Sequence, residues 1–192
     1  MSTAPDQAGV LDLLLASLAR RKATAQVVDR AEAGRATARW MADAGVARAV
    51  VASDQVVEEI GLVDALRREG IDVLMWPTGL GSREALGLEG PLDVCGVTVP
   101  VLAVAERGTL VLEASGGHGR GIDVTSRHHV ALLPADRVVR TLSEALALTY
   151  ADGRTPPSAV SLVSGPSRSS DIEKISTLGA HGALTEHVVV MS

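Results

Sequence analysis

The stretch VARAVVASDQVVEEIGLVDALRREGIDVLMW, residues 46–76, decides the class of fold. Val46 to Ala52 is a short apolar run, rich in β-branched residues, of the kind that forms a buried strand. Ser53 or Asp54 then offers a side-chain oxygen to cap a helix carrying Val56, Ile60, Val63 and Leu66 at helical spacing. Gly70 stops that helix, Ile71 to Trp76 is a second strand, and Pro77 ends it. Two strands joined by a helix of this length pair in parallel, so the stretch predicts an α/β domain.

Working outward, Leu11, Leu14, Leu15 and Leu18 share one helical face, which predicts a peripheral helix over 8–20. Arg20-Arg21-Lys22 suits its C-terminus. Asp29 with Glu32 three residues on reads as a capping box, opening a helix with Ala33, Ala36, Trp40 and Met41 inward and Gly45 at its end. Downstream, residues 97–104, 108–113 and 129–133 read as strands, and the short "AERGT" link between the first two predicts a tight turn and antiparallel pairing. A helix over 142–150, a strand over 159–163, a helix from Asp171 and a strand over 186–191 close the chain. With strands of both orientations, the expected architecture is a single α/β domain over 1–192 with a mixed sheet.

Composition narrows the functions. The net charge of −5, the 2% aromatic content and the lack of any dense Lys/Arg run argue against nucleic acid. A single cysteine, Cys95, forms no internal disulfide and holds no iron–sulfur cluster, and its apolar neighbours predict a buried inert thiol. The N-terminus lacks the basic-then-apolar pattern of a secretory leader, and no apolar run reaches the ~18 residues of a membrane span, so a cytoplasmic protein is expected.

Several clusters could carry chemistry. Neither "TGLGSRE" (78–84) nor "GGHGRG" (116–121) has dinucleotide or phosphate-loop spacing, so both read as turns, though Arg120 within glycines favours an anion. The five histidines show no metal-protease spacing, and His128 and His129, neighbours on a strand, point to opposite faces; no metal is expected. Glu106, in "AERGT", is either a solvated hairpin tip or a positioned base. "SGPSRSSDIEK" (164–174) divides in two. Ser170 and Glu173 form a capping box, whereas Ser164, Gly165, Ser167, Arg168 and Ser169 precede the helix and combine amides, hydroxyls and a guanidinium into an anion site.

"SGPSRSSDIE" with "GAHG" (179–182) and "EHVVVM" (186–191) resembles the C-terminal signature of the LUD domain, the LutC/YkgG family of lactate-utilisation proteins. "AERGT", "GHGR" (117–120) and "LLP" (132–134) match further landmarks in order, so the resemblance covers about half the chain. Arg107 stands where the family has Thr, Ala183 where it has Pro, and Ser169-Ser170 where it has Thr-Ala; about six extra residues lie between Arg120 and Leu132. The resemblance implies a NagB/RpiA/CoA-transferase-like α/β/α fold and a part in oxidising L-lactate to pyruvate beside iron–sulfur partner subunits. It implies no cofactor in this chain, and self-association is left open. By analogy with that fold, Glu106 is the base or carboxylate nucleophile, with His181 as proton carrier and Arg120 assisting Arg168 at the anion. The rival expectation is a non-catalytic scaffold or regulatory subunit that docks redox partners or senses a metabolite.

Overall fold

The structure, a computed structural model, describes residues 7–77, 93–151, 153, 155–169, 177–178 and 182–192. In chain order the elements are α1 (Gln7–Arg20), β1 (Thr24–Val28), α2 (Arg30–Asp43), β2 (Arg48–Val51), α3 (Gln55–Glu59), α4 (Leu62–Arg68) and β3 (Asp72–Met75). Then come β4 (Val94–Thr98), β5 (Leu102–Val104), β6 (Thr109–Glu113), α5 (Ile122–Thr125), β7 (His128–Pro134) and β8 (Val138–Val139). The chain closes with α6 (Leu142–Thr149), β9 (Val160–Val163), β10 (Arg168–Ser169), β11 (Thr177–Leu178) and β12 (Thr185–Met191).

Six strands form a wholly parallel sheet in the order β1-β12-β7-β4-β2-β3. The central strand β7 is buried along its whole length, which explains why its sequence is near-continuously apolar rather than alternating. One face packs Val51, Val97, Val130, Leu132 and Val189 against α2, α3 and α4. The other face packs Ala131, Leu133, Val188 and Val190 against α1, against Ala103 and Leu110 of a second sheet, and against Ala105 in the turn after β5. That sheet has the order β8-β5-β6-β9 and mixes parallel with antiparallel pairing. The expected α/β class is found, with strand mixing confined to the smaller sheet. Among the described residues, no helix is long and apolar enough to cross a membrane.

Three local expectations are corrected. The helix expected over 54–70 is two helices, because Gly61 sits at φ +60°, a left-handed conformation that interrupts the ladder between α3 and α4. The strand read over 97–104 is also two: β4 stays in the central sheet, and Pro100, which has no N–H to donate, lies in the break where the chain leaves for β5. Asp29 stands at the N-cap of α2 without a side-chain capping bond; its Oδ1 lies 3.5 Å from Ser192 Oγ instead, and the Glu32 carboxylate pairs with Arg35. By contrast Asp54 Oδ1 accepts from Val56 N at 2.8 Å, as expected of a cap. A capping box not anticipated from the sequence starts α6, where Thr141 and Glu144 bond each other's backbone amides.

Candidate functional site: an arginine-lined cleft

Three segments meet at the C-terminal end of α1. The turn between β5 and β6 brings Gly108 against the backbone of Ser17 and Leu18; a Cβ there would lie 2.9 Å from Leu18 N. Thr109, the first residue of β6, shares a hydrogen bond with Ser164 (Oγ1 to Oγ, 2.7 Å) at the end of β9. Gly165 follows at φ +89°, and a Cβ on it would lie 2.6 Å from the Arg21 carbonyl. Only glycine combines that dihedral with so close an approach. The loop then returns to the sheet, Ser167 N donating to the Ala183 carbonyl at 2.8 Å.

This packing opens a cleft of about 290 Å³ lined by Ser17, Arg20, Arg21, Glu106 and Arg107. Arg20 donates to Ser17 Oγ at 2.7 Å, and Arg21 Nε to the Arg107 carbonyl at 3.4 Å. Arg107 approaches the Glu106 carboxylate at 3.7 Å, with both side chains largely exposed. A pair so open to water is worth at most about 1 kcal/mol, so a bound anion competes readily for the guanidinium. Glu106 Oε1 also lies 3.4 Å from Leu142 N in the first turn of α6. That backbone partner holds the carboxylate near a helix N-terminus, where negative charge is favoured. Chemically, three guanidiniums around one carboxylate can bind a carboxylate or phosphate bidentately and present Glu106 beside it.

The sequence-expected residues are placed as follows. Glu106 lines this cleft, Ser164 is bonded to Thr109, Gly165 lies against the Arg21 backbone, and Ser167 follows on the same loop. Arg168 and Ser169 form β10, paired antiparallel with β11. His181 and the capping pair Ser170 and Glu173 lie outside the described residues. Arg120 is elsewhere: its Nη2 donates to Ser158 Oγ at 3.2 Å, just before β9, whereas the Ser164 loop follows that strand. A four-residue strand separates those ends by about 13 Å. Arg20 and Arg21 were legible only as a basic helix end; nothing in their spacing signals that the "AERGT" turn folds onto them.

Histidines outside the cleft have structural partners. His128 and His129 do face opposite sides of the sheet, the first bonded to Thr185 Oγ1 at 2.7 Å and the second to Thr98 Oγ1 at 2.9 Å. His129 also lies 3.9 Å from the Glu186 carboxylate, in register on the neighbouring strand and equally buried. His187 stacks on Trp40 with ring centroids 4.4 Å apart, and burial pushes its imidazole down to about 4. Cys95 is fully buried, which drives its thiol far above the ordinary range.

With this geometry in hand, comparison decides the family. The sequence pattern of the LUD domain matches residues 11–191. The chain belongs to the LUD-domain family. Lactate utilization protein C of Halalkalibacterium halodurans is 32% identical over 142 residues, covering 72% of this LUD-domain chain and 60% of that protein. Lactate utilization protein C of Bacillus subtilis is 29% identical over 150 residues, covering 74% and 62%. The chain thus spans roughly three-fifths of the curated relatives it matches. A crystal structure of a DUF162 family protein from Deinococcus radiodurans superposes with a TM-score of 0.69 at 22% identity, covering 98% of this chain and 100% of that one. That likeness shows the fold.

Proposed function

We propose that this LUD-domain chain is a component of lactate utilisation that binds a small carboxylate or phosphate at the Arg20–Arg21–Arg107 cleft and the adjoining Ser164–Ser169 loop. The observation that carries the proposal is the meeting of three guanidiniums from two distant segments around Glu106, beside the Ser164 loop. The relatives' name, lactate utilization protein C, supplies the pathway class. Oxidising lactate to pyruvate releases two electrons, and one buried cysteine cannot ligate a cluster to receive them. The acceptor in this reading is an iron–sulfur partner subunit.

A second reading, a scaffold that docks redox partners, is favoured by one feature. Leu146, Leu148 and Tyr150 at α6, with Leu162 on β9, are exposed large apolar side chains. Both readings call for partners; they differ in whether the cleft binds a ligand.

Calorimetric titration with L-lactate, pyruvate and inorganic phosphate separates them. The proposal expects at least one of these anions to bind the wild type and to weaken tenfold or more in Arg20→Gln or Arg107→Thr. Absence of binding by all three, or affinities unchanged in both variants, overturns the cleft assignment and leaves the scaffold reading.

A further inference from the structure

The loop Gly116–Gly121 does not join the arginine cleft; it lies on the carboxyl ends of β2 and β3. Ser53 N, just past β2, donates to the Gly117 carbonyl at 2.8 Å. Gly117 is pressed against the Ser53 backbone and Gly119 against the Trp76 ring, so closely that neither position has room for a Cβ. From β2 the chain proceeds outward to β3, whereas from β4 it proceeds the other way, to β7 and β12. Ligands of open α/β sheets bind at such a reversal, outside the strands' carboxyl ends; here it lies between β2 and β4, and the Ser53 side of the loop borders it.

His118 is fixed within this loop. Its backbone N–H donates to Ser115 Oγ at 3.1 Å, and its ring Nδ1 lies 3.1 Å from the Glu113 carbonyl. A carbonyl only accepts, so Nδ1 carries the hydrogen and Nε2 presents a lone pair. Burial lowers the ring's pKa against the opposing pull of the Asp123 and Asp54 carboxylates, which favours the neutral ring. Nε2 is out of contact with water and has no hydrogen-bond partner. Asp123, on α5 and 4% exposed, likewise has an unpartnered buried oxygen, Oδ2. Unpaired buried acceptors cost roughly 1–3 kcal/mol each, so two in one neighbourhood call for a hydrogen donor that the described residues do not supply. Arg120, two residues beyond His118 and exposed, adds a guanidinium at the rim, held by the Ser158 hydroxyl.

We propose that the His118–Arg120 loop is a second ligand site, in which His118 Nε2 accepts the hydroxyl hydrogen of a small 2-hydroxycarboxylate whose carboxylate pairs with Arg120. The ligand class rests on the lactate-utilisation reading; the site does not rest on the arginine cleft. The Asp123 carboxylate favours the partial positive charge that the ring takes on as it accepts this hydrogen bond. An alcohol is required, because a ketone in its place has no hydrogen to give.

The test is binding of L-lactate and pyruvate to the full chain, followed by calorimetry and by the ¹⁵N resonances of labelled histidine. L-lactate is expected to shift the His118 Nε2 resonance and to bind at least tenfold more tightly than pyruvate. His118→Leu and Arg120→Gln each lose tenfold or more, His118→Gln recovers part of the loss through its carbonyl, and Arg67→Gln, on the exposed surface of α4, leaves lactate binding unchanged. Failure of L-lactate to bind, equal affinity for pyruvate, or an affinity unchanged in His118→Leu overturns the proposal. Loss in Arg107→Thr without loss in His118→Leu also overturns it while keeping the arginine cleft.

Discussion

Replacing Gly165 by alanine tests how the Ser164 loop is seated on α1. At φ +89° an L-residue occupies a left-handed conformation costing about 1–2 kcal/mol. The new Cβ would also lie 2.6 Å from the Arg21 carbonyl oxygen and 2.9 Å from the Arg21 Cβ. Relieving such an overlap by backbone movement costs about 1–3 kcal/mol. Together these give a loss of about 2–5 kcal/mol, or roughly 4–20 °C in Tm for a domain of this size. Gly153 is the internal control, at φ +81° with nothing within 4 Å of its would-be Cβ, so Gly153→Ala shows the conformational part alone. Denaturant unfolding and calorimetry of both variants isolate the steric part, and Gly165→Ala is also expected to weaken anion binding. A Gly165→Ala protein no less stable than Gly153→Ala would refute the seating of the loop against Arg21.

Thr141→Ala removes one half of the α6 capping box and is expected to cost about 1 kcal/mol in urea unfolding. Cys95 should resist a thiol reagent in the native protein and react at the rate of unfolding, because the thiol is buried and held protonated. His187 has a folded pKa of about 4, below its unfolded value, so the unfolded chain takes up the extra proton. Its contribution to stability is therefore complete above about pH 6.5 and is lost as pH falls towards 4. Thermal melts across that window should show a decline that shrinks in His187→Gln.

The strand–helix–strand core was legible because its apolar runs are bounded by residues with one dominant conformational use, such as Asp54 as a cap and Gly45 and Gly70 as stops. What escaped were places where two local rules compete. Gly61 lies in an otherwise continuous helical pattern, and only its left-handed dihedral divides α3 from α4. Val97 to Val104 reads as one strand, but its two halves belong to different sheets. The candidate cleft was legible in part: Glu106 stands in a motif, while Arg20 and Arg21 enter it only through the fold of the "AERGT" turn onto α1. Arg120 went the other way, because the register of β6 on β9 puts Ser158 and Ser164 beyond opposite ends of one strand.

The most direct test of the central claim is a crystal structure of the full chain grown with the anion that calorimetry finds to bind most tightly. For an anion whose affinity falls in Arg107→Thr, the account predicts a position within hydrogen-bonding distance of at least two of Arg20, Arg21 and Arg107, with the Ser164–Ser169 loop closing on it. An anion bound elsewhere, with the arginine cleft holding only water, would contradict it.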